Sequence, residues 1–129
     1  MNVQTGDVLK FDIRLDDGTT DYKSHLCVDA ARHFYLMICG TARGADYMIE
    51  DYECDLLTYE VSYISLKGVL SVRKIPARHE GPVPLRDEVL RELAYHVDAS
   101  RIIKDLNKRK IVPGLAAHLG LNDLLAKWE

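Results

Sequence analysis

The chain has 129 residues, of which 47% are hydrophobic and 29% charged, with a formal net charge of −3. That length can bury a core without disulfides, and the composition is that of an ordinary globular protein rather than a fibrous or low-complexity one. No apolar stretch approaches the roughly 20 residues a membrane helix needs, so no membrane association is expected.

The three cysteines are an odd number without paired spacing. Residues 1–12 lack a basic segment followed by an apolar one, so no signal peptide is expected. Together these features predict a cytoplasmic protein with free thiols. Charge is distributed unevenly. Six acidic residues and no Lys or Arg fall between Ala45 and Glu60, whereas five basic residues face only Asp105 between Arg101 and Lys110. A charge run is usually a solvated face, although the basic one suits phosphates or an acidic partner.

Gly6–Leu15 alternates, with Leu9, Phe11, Ile13 and Leu15 on one face, and predicts a first strand. Asp16-Asp17-Gly18-Thr19 follows as a turn. His25–Ala30 and Phe34–Gly40 are two short apolar runs around the polar break Ala31-Arg32-His33, the pattern of an antiparallel pair. A turn near Ala31–Arg32 brings Thr41 back beside Tyr22 and Lys23. Lys23, Ser24, His25, Thr41 and Arg43 then gather at the open end of the pair.

Thr41–Ala45 reads as loop, Tyr47–Ile49 as a short strand, and the acidic stretch as loop or one helical turn. Glu60–Leu66 and Val69–Ile75 read as two more strands around Lys67-Gly68. Gly81, Pro82 and Pro84 predict a break. Leu85, Val89, Leu90, Leu93 and Val97 then form a helical stripe. Ser100 reads as the cap of a second helix with Ile102, Ile103 and Leu106 inside. Pro113-Gly114 reads as another break, and Leu115–Trp128 as short helices interrupted at Gly120, with Asn122 as a cap.

Many short strands followed by helices predict an α+β chain: a small, mostly antiparallel sheet or barrel over 1–75, with helices of 84–129 packed on it in one domain. Cys27 and Cys39 with His25 make a zinc site on paper, but without Cys-x-x-Cys spacing no metal or cofactor is expected. There is no phosphate-binding glycine loop. The tail Leu115–Glu129 offers Leu124, Leu125, Ala126 and Trp128 where a helix-turn-helix would read bases, and these suit packing better than base recognition.

Several stretches together resemble the PemK/MazF family of bacterial toxins. Gly6-Asp7-Val8 opens the first strand as that family does. Ile38-Cys39-Gly40-Thr41 is similar to the end of its third strand, which carries a Thr or Ser. Glu60-Val61-Ser62-Tyr63-Ile64 followed by Val69-Leu70-Ser71-Val72 is similar to its next two strands, and Leu85 onward to its C-terminal helix.

The resemblance implies an SH3-like barrel of five to seven strands and a metal-independent endoribonuclease from a type II toxin–antitoxin system. RNA would be the substrate, a small antitoxin the partner and a homodimer the assembly. In that chemistry the 2′-hydroxyl attacks the adjacent phosphate. The step needs a base, an acid and a cation. His25 would act as base or acid and Thr41 would hydrogen-bond the phosphate, as catalytic residues. Lys23, Ser24 and Arg43 would bind the substrate.

Two departures stand out. Ser24-His25 occupies the place of the family's Arg-Pro pair, and residues 100–129 extend past its final helix. The alternative is a non-catalytic SH3-like binding module for a protein or nucleic-acid partner. Convergence of Lys23, His25, Thr41 and Arg43 in one concave site would favour the enzyme. A groove lined by Tyr35, Met37 and Tyr63 would favour the binding module.

Overall fold

A computed structural model describes residues 2–129, apart from the side chain of Asp51. β1 (Asp7–Arg14) and β2 (Thr20–Asp29) form the first hairpin, with Val8 opposite Leu26 and Phe11 opposite Lys23. In its turn Gly18 has φ 87° and Asp17 Oδ1 accepts the Thr19 N–H at 2.9 Å. That left-handed backbone suits glycine, and the Asp side chain supplies the local acceptor. β3 (Phe34–Cys39) returns along β2 after a turn at residues 30–33, with Leu26 opposite Leu36.

β4 (Asp46–Glu50) leads through a short 3-10 turn into β5 (Val61–Ser65), which pairs with both β4 and β3. β6 (Leu70–Ser71) pairs with β3, and β7 (His79–Pro84) pairs with β1. The seven strands form one antiparallel sheet in the order β4-β5-β3-β2-β1-β7, with β6 beside β3. Three helices follow: α1 (Asp87–Ala99), α2 (Asp105–Leu119) and α3 (Asn122–Trp128). None is long and apolar enough to cross a membrane.

Alternation sorts the strands into two buried faces. Val8, Leu26, Leu36 and Ile64 point into a large core that continues through Leu93 and Ile111 of the helices. The opposite face carries Leu9, Phe11, Cys27 and Tyr35, covered in part by Leu70, Val72 and Ile75. Burial of each large aliphatic side chain contributes roughly 1.5–3 kcal/mol.

Five expectations need correction. The sheet stays open, with β4 and β7 as its edges, rather than closing into a barrel. β7 carries Pro82 and Pro84, which lack N–H donors and suit an edge. The Gly81-Pro82-Pro84 segment is therefore strand, not a break. Gly81 is needed there: φ is 92°, and a Cβ would lie 2.7 Å from the Val8 carbonyl oxygen. Third, β6 keeps only two of the seven residues expected of a strand over Val69–Ile75, because the chain leaves the sheet to cover Phe11 and Tyr35.

Fourth, α2 starts at Asp105, and Ile102 and Leu106 are 79% and 66% exposed instead of facing inward. Ser100 does not cap α2. Its Oγ accepts the N–H groups of Ile102 and Ile103 in the connecting turn, and the cap position of α2 belongs to Lys104. Likewise Leu121, not Asn122, occupies the cap of α3.

Fifth, α2 runs straight through Pro113-Gly114. A mid-helix proline leaves the carbonyl four residues earlier without its N–H partner. That carbonyl is Arg109 O, and Arg32 Nη2 donates to it at 3.0 Å. Asp29 Oδ2 holds the same guanidinium through Nε at 2.6 Å. Gly114 lets the helix approach β2, since a Cβ there would overlap the Val28 carbonyl oxygen and lie 2.7 Å from Asp29 Cβ.

Candidate functional site

β2 has ten residues and β3 only six, and their ladder stops at Ser24 opposite Ile38. Past that point the first four residues of β2 have no partner on β3. Segment 57–62 rises opposite the gap, leaving a cleft of about 200 Å³. Lys10, Tyr22, Lys23, Ser24, Tyr59 and Ser62 line it.

Register places these groups. Lys10 lies opposite Ser24 on β1 and β2, and Lys10 Nζ sits 5.5 Å from the Tyr22 ring centroid. Arg78 stacks on the same ring at 4.2 Å. Such contacts hold the ring while leaving the cation its charge. Partial burial, then the Glu80 carboxylate, raises the Tyr22 phenol above its ordinary value. Lys23 Nζ is 3.6 Å from Asp21 Oδ2. Tyr59 lies against the Gly40 backbone, where a Cβ would come within 2.8 Å of its ring, yet 59% of Tyr59 is exposed. One aromatic face is therefore seated and much of the residue remains open to solvent.

Of the five residues expected at the open end of the hairpin, Lys23 and Ser24 line this cleft. Thr41 and Arg43 stand in the exposed loop after β3, outside its lining. That loop is set by Asp46, whose Oδ2 accepts the N–H groups of Arg43 and Gly44 at 2.8 Å each.

His25 points to the other face of β2. It is fully buried, stacked on Phe11 with ring centroids 4.1 Å apart and planes at 15°. Neither ring nitrogen has a hydrogen-bond partner. Burial lowers its pKa to about 4. Lys23 shares that face with His25, but Thr41 and Arg43, in the exposed loop after β3, do not join them. Nor does a groove of Tyr35, Met37 and Tyr63 form, since Tyr35 belongs to the buried Phe11 cluster.

Lys10, Tyr22, Tyr59 and Ser62 were not singled out from sequence. Lys10 occupies the polar side of the alternation in β1, which was a usable signal. Tyr59 sits in the acidic stretch, which has no period.

Cys27, Cys39 and Cys54 are free and buried. Burial pushes the Cys27 thiol up to about 11, which keeps it protonated and inert at neutral pH. Among the described residues, no three His, Cys, Asp or Glu side chains gather closely enough to hold a metal ion. The cleft thus offers the Lys10 ammonium, hydroxyls and one open aromatic ring. That set can donate to phosphate oxygens and stack a base. Its one carboxylate, Asp21, already faces Lys23.

In comparison with known proteins, the chain matches no family model, no curated protein and no solved structure.

Proposed function

We propose that this chain is a binding module for single-stranded RNA, built on an opened form of the SH3-like toxin scaffold, and that it holds the strand rather than cutting it. One phosphodiester would sit beside Lys10, with Ser24 and Ser62 donating to its oxygens and a base resting on Tyr59. The observation that carries this reading is the meeting of the Lys10 and Ser24 register pair with Ser62 and a seated, half-open tyrosine in one cleft at the end of β2. The PemK/MazF resemblance supports the placement, because that family's site lies at the ends of its second and third strands. The fate of His25 favours holding over cutting. An imidazole buried on the opposite face, with its pKa lowered to about 4, is not placed to take a proton from a bound 2′-hydroxyl.

Fluorescence anisotropy with a labelled, mixed-sequence oligoribonucleotide tests the reading, alongside a gel of the same RNA. The wild-type protein should bind and leave the RNA intact. Lys10→Ala should weaken binding by about tenfold and flatten its salt dependence by about one contact. Binding that this variant leaves unchanged would overturn the site. Cleavage by purified protein would transfer the function to the nuclease reading, with Asp21 and Lys10 the first groups to test.

A further inference from the structure

A second cleft lies at the other end of the β2–β3 hairpin. Its floor is the turn at residues 30–33, and its wall is the segment that leaves β6. Val72 N–H donates to the His33 carbonyl at 2.9 Å, tying the two together. The space is about 520 Å³, and its polar lining includes His33, Arg73, Lys74, His79 and Asn2. None of the described residues lining it is acidic, in a chain where Asp and Glu outnumber Lys and Arg by 20 to 17.

Among the described residues, some of the chain's cations are already paired, and others, Lys10 among them, are not. Lys23, Arg32, Arg78, Arg86 and Lys127 each lie within 4.0 Å of a carboxylate oxygen. Among the described residues, Arg73 and Lys74 have no such partner, and both are exposed. The imidazole of His79 is oriented. Its Nδ1 lies 2.9 Å from the Pro76 carbonyl oxygen, which can only accept, so Nδ1 carries the hydrogen and Nε2 is left as the unengaged ring nitrogen. The remaining walls are apolar, from Val72, Ile75 and Pro76.

Two exposed, unpaired cations and a carboxylate-free lining describe an anion site. The volume exceeds what a bare phosphate needs and falls within the usual range for small organic ligands. We propose that this cleft binds a phosphomonoester of nucleotide size. Arg73 and Lys74 hold the phosphate, and the organic group lies along Val72, Ile75 and Pro76. The same chemistry arises from a free nucleotide or from the phosphorylated end of an RNA strand. The site is independent of the RNA cleft at the start of β2.

Isothermal titration of the full chain tests this with four probes: adenosine 5′-monophosphate, adenosine, inorganic phosphate and a 5′-phosphorylated tetranucleotide. The monophosphate should bind saturably, and adenosine at least about tenfold more weakly. Arg73→Ala/Lys74→Ala should lose about tenfold or more, with an unchanged melting temperature because both side chains are exposed, whereas Lys10→Ala should bind the monophosphate normally. On the Lys10→Ala variant, which removes the RNA cleft's cation, tighter binding of the tetranucleotide than of the mononucleotide would assign the source to a strand end. The reverse would assign it to free nucleotide. Either order supports the site. Equal binding of adenosine and its monophosphate, equal binding by the Arg73/Lys74 variant, or no saturation by any probe up to about 10 mM would overturn it.

Discussion

His25 shows how a polar residue can be placed for packing. It lies opposite Leu9 on β1 and Met37 on β3, and its ring stacks on Phe11. Burial is the main cause of its lowered pKa, and the nearby Lys23 charge adds to it. The consequence for stability has a definite sign. The folded state holds the ring neutral down to about pH 4, whereas the unfolded chain takes up a proton near the ordinary value of 6.5. Between those values the unfolded state binds more protons, so stability is lost as pH falls from about 6.5 towards 4, by up to about 3 kcal/mol from this one group. Urea unfolding at a series of pH values should show that loss. His25→Phe keeps an aromatic ring against Phe11 and removes two unpaired buried nitrogens, so it should abolish most of the loss in this window. An identical pH profile in the variant would show that other groups control acid sensitivity. The alternation around Leu26 already put His25 on one face with Cys27. What the sequence did not reveal was the cover over that face, supplied by Val72 and Ile75 from a segment that left the sheet.

At the scale of elements, α2 is the instructive case. Pro-Gly is a strong local break signal, and here it sits inside a fifteen-residue helix. The compensation is long-range. Arg32, at the tip of the β2–β3 hairpin, supplies the donor that Pro113 removes, and β2 approaches so closely that only glycine fits at 114. No local window contains both halves of that arrangement, which is why the helix was illegible there while α1, a regular stripe ending at Val97, was plain. β7 has a similar explanation: its prolines forbid a central strand but not an edge one. In an open helix Gly→Ala stabilises by roughly 0.5–1 kcal/mol. Gly114→Ala should instead destabilise by about 2 kcal/mol or more, because the new methyl group meets the β2 backbone. Arg32→Ala should cost about 1 kcal/mol, mainly through the largely buried Asp29 carboxylate it leaves unpaired, since the Arg109 carbonyl lies where water can reach it. Urea midpoints measure both, and a stabilised Gly114→Ala would refute the close contact.

Across the whole molecule, the helices are bound to one another as firmly as to the sheet. Lys108, 6% exposed, donates to the carbonyls of Asp98 and Ser100 at 2.8 and 2.6 Å and so closes the C-terminal end of α1. Asp98 accepts Trp128 Nε1 at 2.7 Å and pairs with Lys127 at 2.9 Å, which fastens α3 to the same point. The basic run of residues 101–110 is thus partly structural. Its buried lysine serves a helix end, as cations near C-termini do. The two clefts lie at opposite ends of the central hairpin and take their cations from β1 and the segment after β6 instead. The first hairpins and the helical C-terminal part were legible from period and turn chemistry, whereas the order of strands in the sheet was not. The clefts were not, because each depends on where a strand stops pairing. The most direct test of the central claim is an amide-resolved NMR titration with a short, unstructured oligoribonucleotide. The account predicts saturable shifts centred on Lys10, Tyr22, Lys23, Ser24, Tyr59 and Ser62. Shifts absent from those residues and clustered on another surface would contradict it.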